Sequence, residues 1–386
     1  METIYLDHNA TTPTRPEVVE AVTRCYRDGY ANPASQHQLG QRARRTLEQA
    51  RDTVGRILGA DMASRKADRV VFTSGGTESN NLALFGMAGA AGPAPGHLIV
   101  SAIEHSSVIA PAEALLERGW QLDTLGATTD GVVRTDDLPR LLKPNTRLAS
   151  VMLGNHETGV LQPVAEVARI CGAAGVAVHT DAVQVAGKLP IDFRALGVAA
   201  LSVSAHKFQG PLGIGALVVR EDARIAPIHF GGHQQWGLRP GTEAVALAVG
   251  MAVALELWQR DQDAHAQRLT ALRERFECGL RAGLPELVIN GAAALRLPHT
   301  SSVAFPGLDG QMLLMALDLA GVACSVGSAC SSGSSELSPT LQAMGLPRPI
   351  LASSLRFSLG ATTTEQEVDQ AVQRIVHVVN ELRYTS

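Results

Sequence analysis

The sequence predicts an α/β protein built on a mostly parallel sheet, with a smaller α+β unit after it. From about residue 16 to 255, apolar runs of strand length alternate with helical patterns. Those strands are apolar along their whole length, as strands covered by helices on both faces must be. After about residue 256 the alternation gives way to long charged helical stretches and a few short strands. The expected division is a large domain over 16–255 and a small C-terminal domain over 256–386, with the segment 1–15 packing on the small one.

Taken in order, ADRVVFTS reads as a strand and GGTESNNLALFGMA as a helix. HLIVSAIEH is a strand and SVIAPAEALLERG a helix; LASVMLGN is a strand and VAEVARICGAAG a helix. VAVHTDA, ALSVSAHK and GIGALVVR follow as strands. The stretch LELWQRDQDAHAQRLTALRERFECGLRAGL reads as one long charged helix, and TEQEVDQAVQRIVHVVNELR as the last. Parallel strands joined by right-handed crossovers present ligands at their carboxyl ends.

Composition narrows the function classes. The 386 residues carry 33 Lys+Arg against 37 Asp+Glu, with 45% hydrophobic residues. That is the profile of a soluble globular chain with ample core. The balance lacks the basic excess of a dedicated nucleic-acid binder. No apolar run approaches the ~18 residues of a membrane span, and the start METIYLDHNATTP carries no secretory pattern. Five cysteines make no disulfide framework and point to a reducing, cytoplasmic setting. Cys324 and Cys330 are six apart, which suits no structural zinc.

Four features stand at strand ends. Ser74-Gly75-Gly76-Thr77 joins a strand to a helix, where backbone N–H groups and the helix dipole favour a phosphate; a plain glycine turn is the alternative. Asp181 ends VAVHTDA with Gln184 one turn on, and an acid there is also an ordinary helix cap. Lys207 closes the next strand and is one of only four lysines; Lys66 and Lys143 read as solvated and Lys188 as a loop residue. His105 ends LIVSAIEH, where a structural role is the alternative. Together they meet the needs of pyridoxal phosphate: a phosphate cradle, an amine to bind its aldehyde, an acid for the ring nitrogen and a flat partner for the ring.

Cys330 lies in the Ser/Gly-rich SVGSACSSGSS, which suits a thiol on a movable loop. Cys25, Cys171 and Cys278 sit in helical patterns and read as packing groups. Arg356, in SLRFSLG, offers a fork to a carboxylate or is a surface strand residue.

With these motifs in view, the chain resembles the NifS/IscS-type cysteine desulfurases, pyridoxal-phosphate enzymes of the class-V aminotransferase family with the aspartate-aminotransferase fold (fold type I). The resemblance runs nearly end to end, through YLDHNATTP, NPAS, VVFTSGGTESNNLA, ETGVLQPV, HTDAVQVAGKLPID, SAHKFQGPLGIGAL, RPGTE, SVGSACSSGS and LRFSLG. It implies that Lys207 carries the cofactor, that Gly76, Thr77, Ser204 and His206 bind its phosphate, and that Thr242 reaches the phosphate of a neighbouring subunit in a homodimer. It implies that Asp181 pairs with the ring nitrogen, Gln184 bonds the ring hydroxyl, and His105 stacks on the ring and helps move protons. Asn32 and Arg356 would hold the carboxylate of L-cysteine. Cys330 would take sulfur as a persulfide, leaving alanine, and hand it to an acceptor or iron–sulfur scaffold protein for cluster, thio-cofactor or tRNA biosynthesis. No resident metal is implied beyond a contact of Cys330 with a nascent iron–sulfur cluster. The loop around Cys330 resembles the NifS/IscS branch rather than the SufS-like one. The rival readings are another pyridoxal-phosphate reaction on the same fold, such as selenocysteine lyase, an aminotransferase or a β-lyase, and a degenerate homologue serving as a sulfur-transfer partner or scaffold.

Three segments depart from the family pattern. Asn155-His156-Glu157-Thr158-Gly159 stands where the family reads Asn-Asn-Glu-Thr-Gly, which puts Asn155 and His156 together as candidates for the ring hydroxyl. A histidine there, unlike an amide, can gain charge near neutral pH. Gln235-Trp236 replaces Glu-Arg, and Leu212 replaces a lysine.

Overall fold

A computed structural model describes residues 3–28, 31–92, 94–327 and 337–384. Cys330 lies outside the described residues. The chain begins with β1 (Ile4–Tyr5), α1 (Pro16–Arg27) and α2 (Gln38–Ile57). Next come β2 (Arg69–Thr73), α3 (Gly76–Ala90), β3 (His97–Ser101), α4 (Ser106–Glu117) and β4 (Gln121–Leu125). The run continues through α5 (Leu138–Leu141), β5 (Thr146–Ser150), α6 (Val164–Ala173), β6 (Ala177–Asp181), α7 (Phe193–Leu196), β7 (Ala200–Ser204) and β8 (Gly215–Val219).

These strands form a seven-stranded sheet in the order β2-β8-β7-β6-β5-β3-β4. Only β8 runs against its neighbours, pairing antiparallel with both β2 and β7. The reason is the short connection from β7 to β8, one 3-10 turn (Ala205–Phe208) and a glycine-rich bend, too short for a crossover helix. The strands β3, β7 and β8 are buried at every residue, as mostly apolar strands covered on both faces are. The carboxyl ends of β2, β3, β6 and β7 share one edge of the sheet.

The second part holds α8 (Val245–Arg260), α9 (Gln262–Gly283), β9 (Val288–Ile289), β10 (Thr300–Ala304), α10 (Gly310–Leu319), β11 (Val322–Ala323), α11 (Pro339–Ala343), α12 (Arg348–Ala352), β12 (Ser354–Ser358) and α13 (Glu365–Tyr384). The stretch expected as one long charged helix is two, broken at Asp261. The first packs Leu255 and Trp258 into the core of the large sheet, while the second gives Leu269, Phe276 and Leu280 to a separate core with Phe305, Phe357 and Ile375. The expected boundary at 255/256 thus falls inside α8. The strands β12-β10-β9 form an antiparallel sheet, and β1 pairs in parallel with β11. The N-terminal segment then runs on toward β12, with Asp7 bridged to Ser358. No helix among the described residues is long and apolar enough to cross a membrane.

Candidate active site

A cavity of about 280 Å³ opens at the carboxyl edge of the large sheet, lined among others by Gly76, Thr77, His105, Asp181, Gln184, Ser204, His206, Lys207, His156 and Arg356. Sequence neighbours did not bring these together; the carboxyl ends of β2, β3, β5, β6 and β7, with the connections that follow them, and the strand β12 did.

The cradle comes first. β2 ends at Thr73, and α3 starts at Gly76 with Gly75 as its cap residue. The first N–H groups of a helix have no partner within it, and Gly75 supplies no side-chain cap. A Cβ on Gly76 would stand 2.8 Å from a Val183 methyl, and one on Gly215 of β8 would stand 2.7 Å from the Gly75 backbone. Glycine is required at both places for the helix start to sit this deep. Glu78, in the first turn, accepts from Ser74 N–H at 2.6 Å and pairs with Arg239 at 2.9 Å, which fixes the loop from the outside.

Asp181 is buried at the end of β6. One carboxylate oxygen accepts from Val183 N–H at 2.9 Å and the other from Asn80 Nδ2 at 2.7 Å. Gln184 donates to the Asn9 carbonyl at 3.1 Å. Lys207 sits on the turn after β7, and its Nζ donates to the carbonyls of Asn9 and Ala10. His206, next to it, is pushed down to about 4 by burial and by the charges of Lys207 and Lys188. His105 does not end a strand: β3 stops at Ser101, and His105 caps α4, its Nδ1 accepting from Ser107 N–H at 3.1 Å. Beside it, burial and the charge of Asp181 push the Glu104 carboxyl up to about 8.

The two candidates at 155–156 part company. Asn155 is absent from the cavity wall: its amide donates to Ile103 O, and its oxygen accepts from the N–H groups of Glu157 and Thr158. It is a loop-folding residue. His156 lines the cavity, meets His105 edge to face at 5.2 Å, and keeps a buried Nδ1 without a hydrogen-bond partner among the described residues. The surroundings of His156 work against the expected gain of charge near neutral pH. Burial, with His105, Arg356 and Lys207 beside it, holds it well below the ordinary histidine range.

Arg356 is buried, and its guanidinium is held by Asp7 at 2.7 Å and by the His156 carbonyl at 3.0 Å. It still lines the cavity. Asn32 and Thr242 do not: both are exposed. Pro33 and Ala34, after Asn32, line a second, open cavity with Arg44, Trp236 and Glu243. In the departing loop, buried Gln235 clamps both backbone groups of Phe72 on the edge strand β2, at 2.6 and 2.8 Å, while exposed Trp236 has Arg51 over its ring. Leu212 is exposed.

Sequence reasoning missed several residues. Asn9 was present in YLDHNATTP without a role. Asn80 stands one turn after Gly76 and Thr77 on the same helix, a spacing that could have flagged it. Lys188 lies in the turns after β6 as expected, but it is buried, donates to the Lys207 carbonyl, and is pushed down to about 7 by burial and by Lys207. Cys278 is exposed rather than packed. Cys25 and Cys171 are buried, and burial raises both thiols. Cys324 follows β11, and burial pushes its thiol up to about 12.

The chain is similar to known proteins over nearly its whole length. The aminotransferase class-V family matches residues 4–371. A cysteine desulfurase IscS of Dictyoglomus turgidum is 39% identical over 99% of this chain and 96% of its own length. One from Anaeromyxobacter sp. is 43% identical over 99% of this chain and 94% of its own. A solved NifS-like protein superposes with a TM-score of 0.90 at 34% identity, covering 98% of this chain and all of the other. The NifS-like protein of Rickettsia africae gives 0.88 at 30%, with the same coverage. The chain belongs to the class-V aminotransferase family and, within it, to the NifS/IscS-type cysteine desulfurases. It is a pyridoxal-phosphate-dependent enzyme of fold type I.

Proposed function

We propose that this cavity holds pyridoxal phosphate and L-cysteine, and that the sulfur leaves on Cys330 as a persulfide. The observation that supports it most is the convergence of Lys207, Asp181 and the Gly75–Thr77 helix start on one cavity. The residues fit the cofactor: a helix start that tolerates no Cβ, a buried carboxylate, an amine, and an unpartnered imidazole nitrogen on His156. Gly76, Thr77, Ser204 and His206 would take the phosphate, with Thr242 of a second copy completing it in a homodimer. Asp181 would face the ring nitrogen, Gln184 and His156 the ring oxygen, and His105 the ring face. When bound, the cofactor supplies an electron sink to the carbon bearing the substrate's amino group.

The chain's own groups do the rest. Arg356, preset by Asp7, grips the substrate carboxylate, joined by Asn32. Lys207 Nζ takes the proton from the α-carbon. The Cys330 thiolate, the reactive form, bonds to the substrate sulfur as the Cβ–S bond breaks, the electron pair stays on carbon, and protonation there gives alanine. The persulfide passes to an acceptor or scaffold protein in the cytoplasm, for iron–sulfur clusters, thio-cofactors or tRNA. Incubation with L-cysteine and excess dithiol reductant, which releases the outer persulfide sulfur as sulfide and is itself oxidised to a disulfide, with alanine and sulfide assayed together, tests the reading. Equal amounts of both support it. Turnover of selenocysteine alone would make the chain a selenocysteine lyase instead.

A further inference from the structure

We propose that Asn80 and Ser107 form a positioning relay that ties His105 to Asp181 and fixes His105 as the tautomer with its proton on Nε2. Four groups from three elements make it. Asn80 lies on α3, fully buried; Asp181 ends β6; His105 and Ser107 stand at the start of α4. Asn80 Nδ2 is 2.7 Å from an Asp181 oxygen and 2.8 Å from Ser107 Oγ, and Ser107 Oγ is 2.8 Å from His105 Nδ1.

The direction of every bond follows from one end. A carboxylate only accepts, so the amide atom facing Asp181 is the nitrogen. The flipped amide would bring two oxygens to 2.7 Å. The nitrogen has two hydrogens; one goes to Asp181 and the other to Ser107 Oγ. The amide holds this orientation although its own Oδ1 has no partner among the described residues. Ser107 Oγ, already accepting, has its hydrogen left for His105 Nδ1. The Ser107 backbone N–H points at the same ring nitrogen, at 3.1 Å. Two donors on one nitrogen require its lone pair, so the proton of the neutral ring sits on Nε2. Capping α4 needs only the backbone N–H. The hydroxyl and the amide are additional, and their effect is to make the ring's orientation answer to Asp181.

The consequence for catalysis rests on the function proposed above. A neutral His105 with hydrogen on Nε2 offers the cavity a donor, not a base, and so leaves removal of the α-proton to Lys207. The relay itself can be measured without substrate.

The test is long-range proton–nitrogen NMR of the histidine-labelled holoenzyme, with the His105 signals assigned by His105→Gln. The wild type should show His105 with bare Nδ1 and protonated Nε2. Ser107→Ala, left with the backbone N–H alone on Nδ1, and Asn80→Ala should each shift the His105 nitrogen signals and admit a fraction of the Nδ1-protonated form, and Ser107→Thr, which keeps the hydroxyl, should keep the wild-type pattern. A structural role alone would lower the melting temperature of the variants and leave the nitrogen shifts in place. Protonated Nδ1 in the wild type, or unchanged His105 shifts in both alanine variants, overturns the relay. Failure to release alanine from L-cysteine would sink the proposed function while leaving the NMR result standing.

Discussion

Lys207 Nζ donates to the carbonyl of Asn9 at 2.5 Å, joining the end of β7 to a segment 198 residues earlier. Gln184 donates to the same carbonyl, while Asn9 Nδ2 reaches the His156 carbonyl at 3.1 Å and Thr300 at 3.0 Å. One residue of the N-terminal segment therefore touches three walls of the cavity. Two lysine amines, buried Lys188 and half-buried Lys207, lie near one another here, and they need to be told apart. Lys188 is pushed down to about 7 by burial and by Lys207, yet its Nζ points at the Lys207 carbonyl, and of the two only Lys207 lines the cavity. Borohydride reduction of the loaded enzyme, followed by peptide mass spectrometry, should find the cofactor on Lys207. Recovery on Lys188 would reverse the assignment.

The thiol carrying sulfur is expected to be Cys330. Cys324 lies six residues earlier, but its thiol is pushed up to about 12 and is almost never ionised at neutral pH. After exposure to L-cysteine, one extra sulfur should appear on Cys330. Cys324→Ala should keep that mass shift and Cys330→Ala should lose it while still binding cofactor. Sulfur on Cys324 in the wild type would defeat the choice.

Asp7 holds Arg356 at 2.7 Å, and the pair spans 349 residues of sequence. Asp7→Ala removes that contact and leaves the guanidinium to the His156 carbonyl alone. A hydrogen bond to a charged group contributes ~1.5–3 kcal/mol, so KM for L-cysteine should rise on the order of 10- to 100-fold. A change confined to melting temperature, with KM intact, would make Asp7 a fold residue only.

Much of this was legible in the sequence for a physical reason. Unbroken apolar runs such as VVF and LIV can only be buried strands, and Gly, Asp and Lys at their ends mark where ligands sit. What the sequence hides is partnership across distance. Nothing near Arg356 announces Asp7, and nothing in GKLPID shows that the lysine is buried. The direction of β8 depended on a loop length that apolar runs do not report. The break at Asp261 was masked because charged residues fill exposed helix faces on both sides of it.

Glu104 should make stability fall as pH rises. Its carboxyl is held near 8 in the folded chain, against an ordinary value near 4.5. Between those values the folded state keeps a proton that the unfolded state has lost, so stability decreases from about pH 4.5 to about 8. At ~1.4 kcal/mol per unit, the loss is on the order of a few kcal/mol. Glu104→Gln keeps an oxygen for Ser101 and for Met152 N–H, at 2.6 and 2.7 Å, and removes the ionisation. It should melt higher than the wild type at pH 8 and nearly equal to it at pH 5. Parallel curves across that range would show that Glu104 is not the group responsible.

His156 supplies the last prediction, because it stands where the family carries an amide. Its ring is buried, its neighbours His105, Arg356 and Lys207 all disfavour a second proton, and its Nδ1 faces no protein partner among the described residues. A neutral imidazole can donate one hydrogen bond, as an amide can. His156→Asn should therefore retain the cofactor and cysteine desulfurase activity. On the proposed cofactor placement, His156→Ala would leave the ring oxygen without that donor and should bind cofactor about tenfold more weakly, as loss of one net hydrogen bond of ~1 kcal/mol or somewhat more implies. Absorbance titration of the bound cofactor separates a neutral from a charged histidine. If His156 stays neutral, wild type and His156→Asn show the same number of transitions between pH 5 and 8. A transition near pH 6.5 present only in the wild type would mean that His156 charges after all, and that burial is outweighed by the ring oxygen it faces.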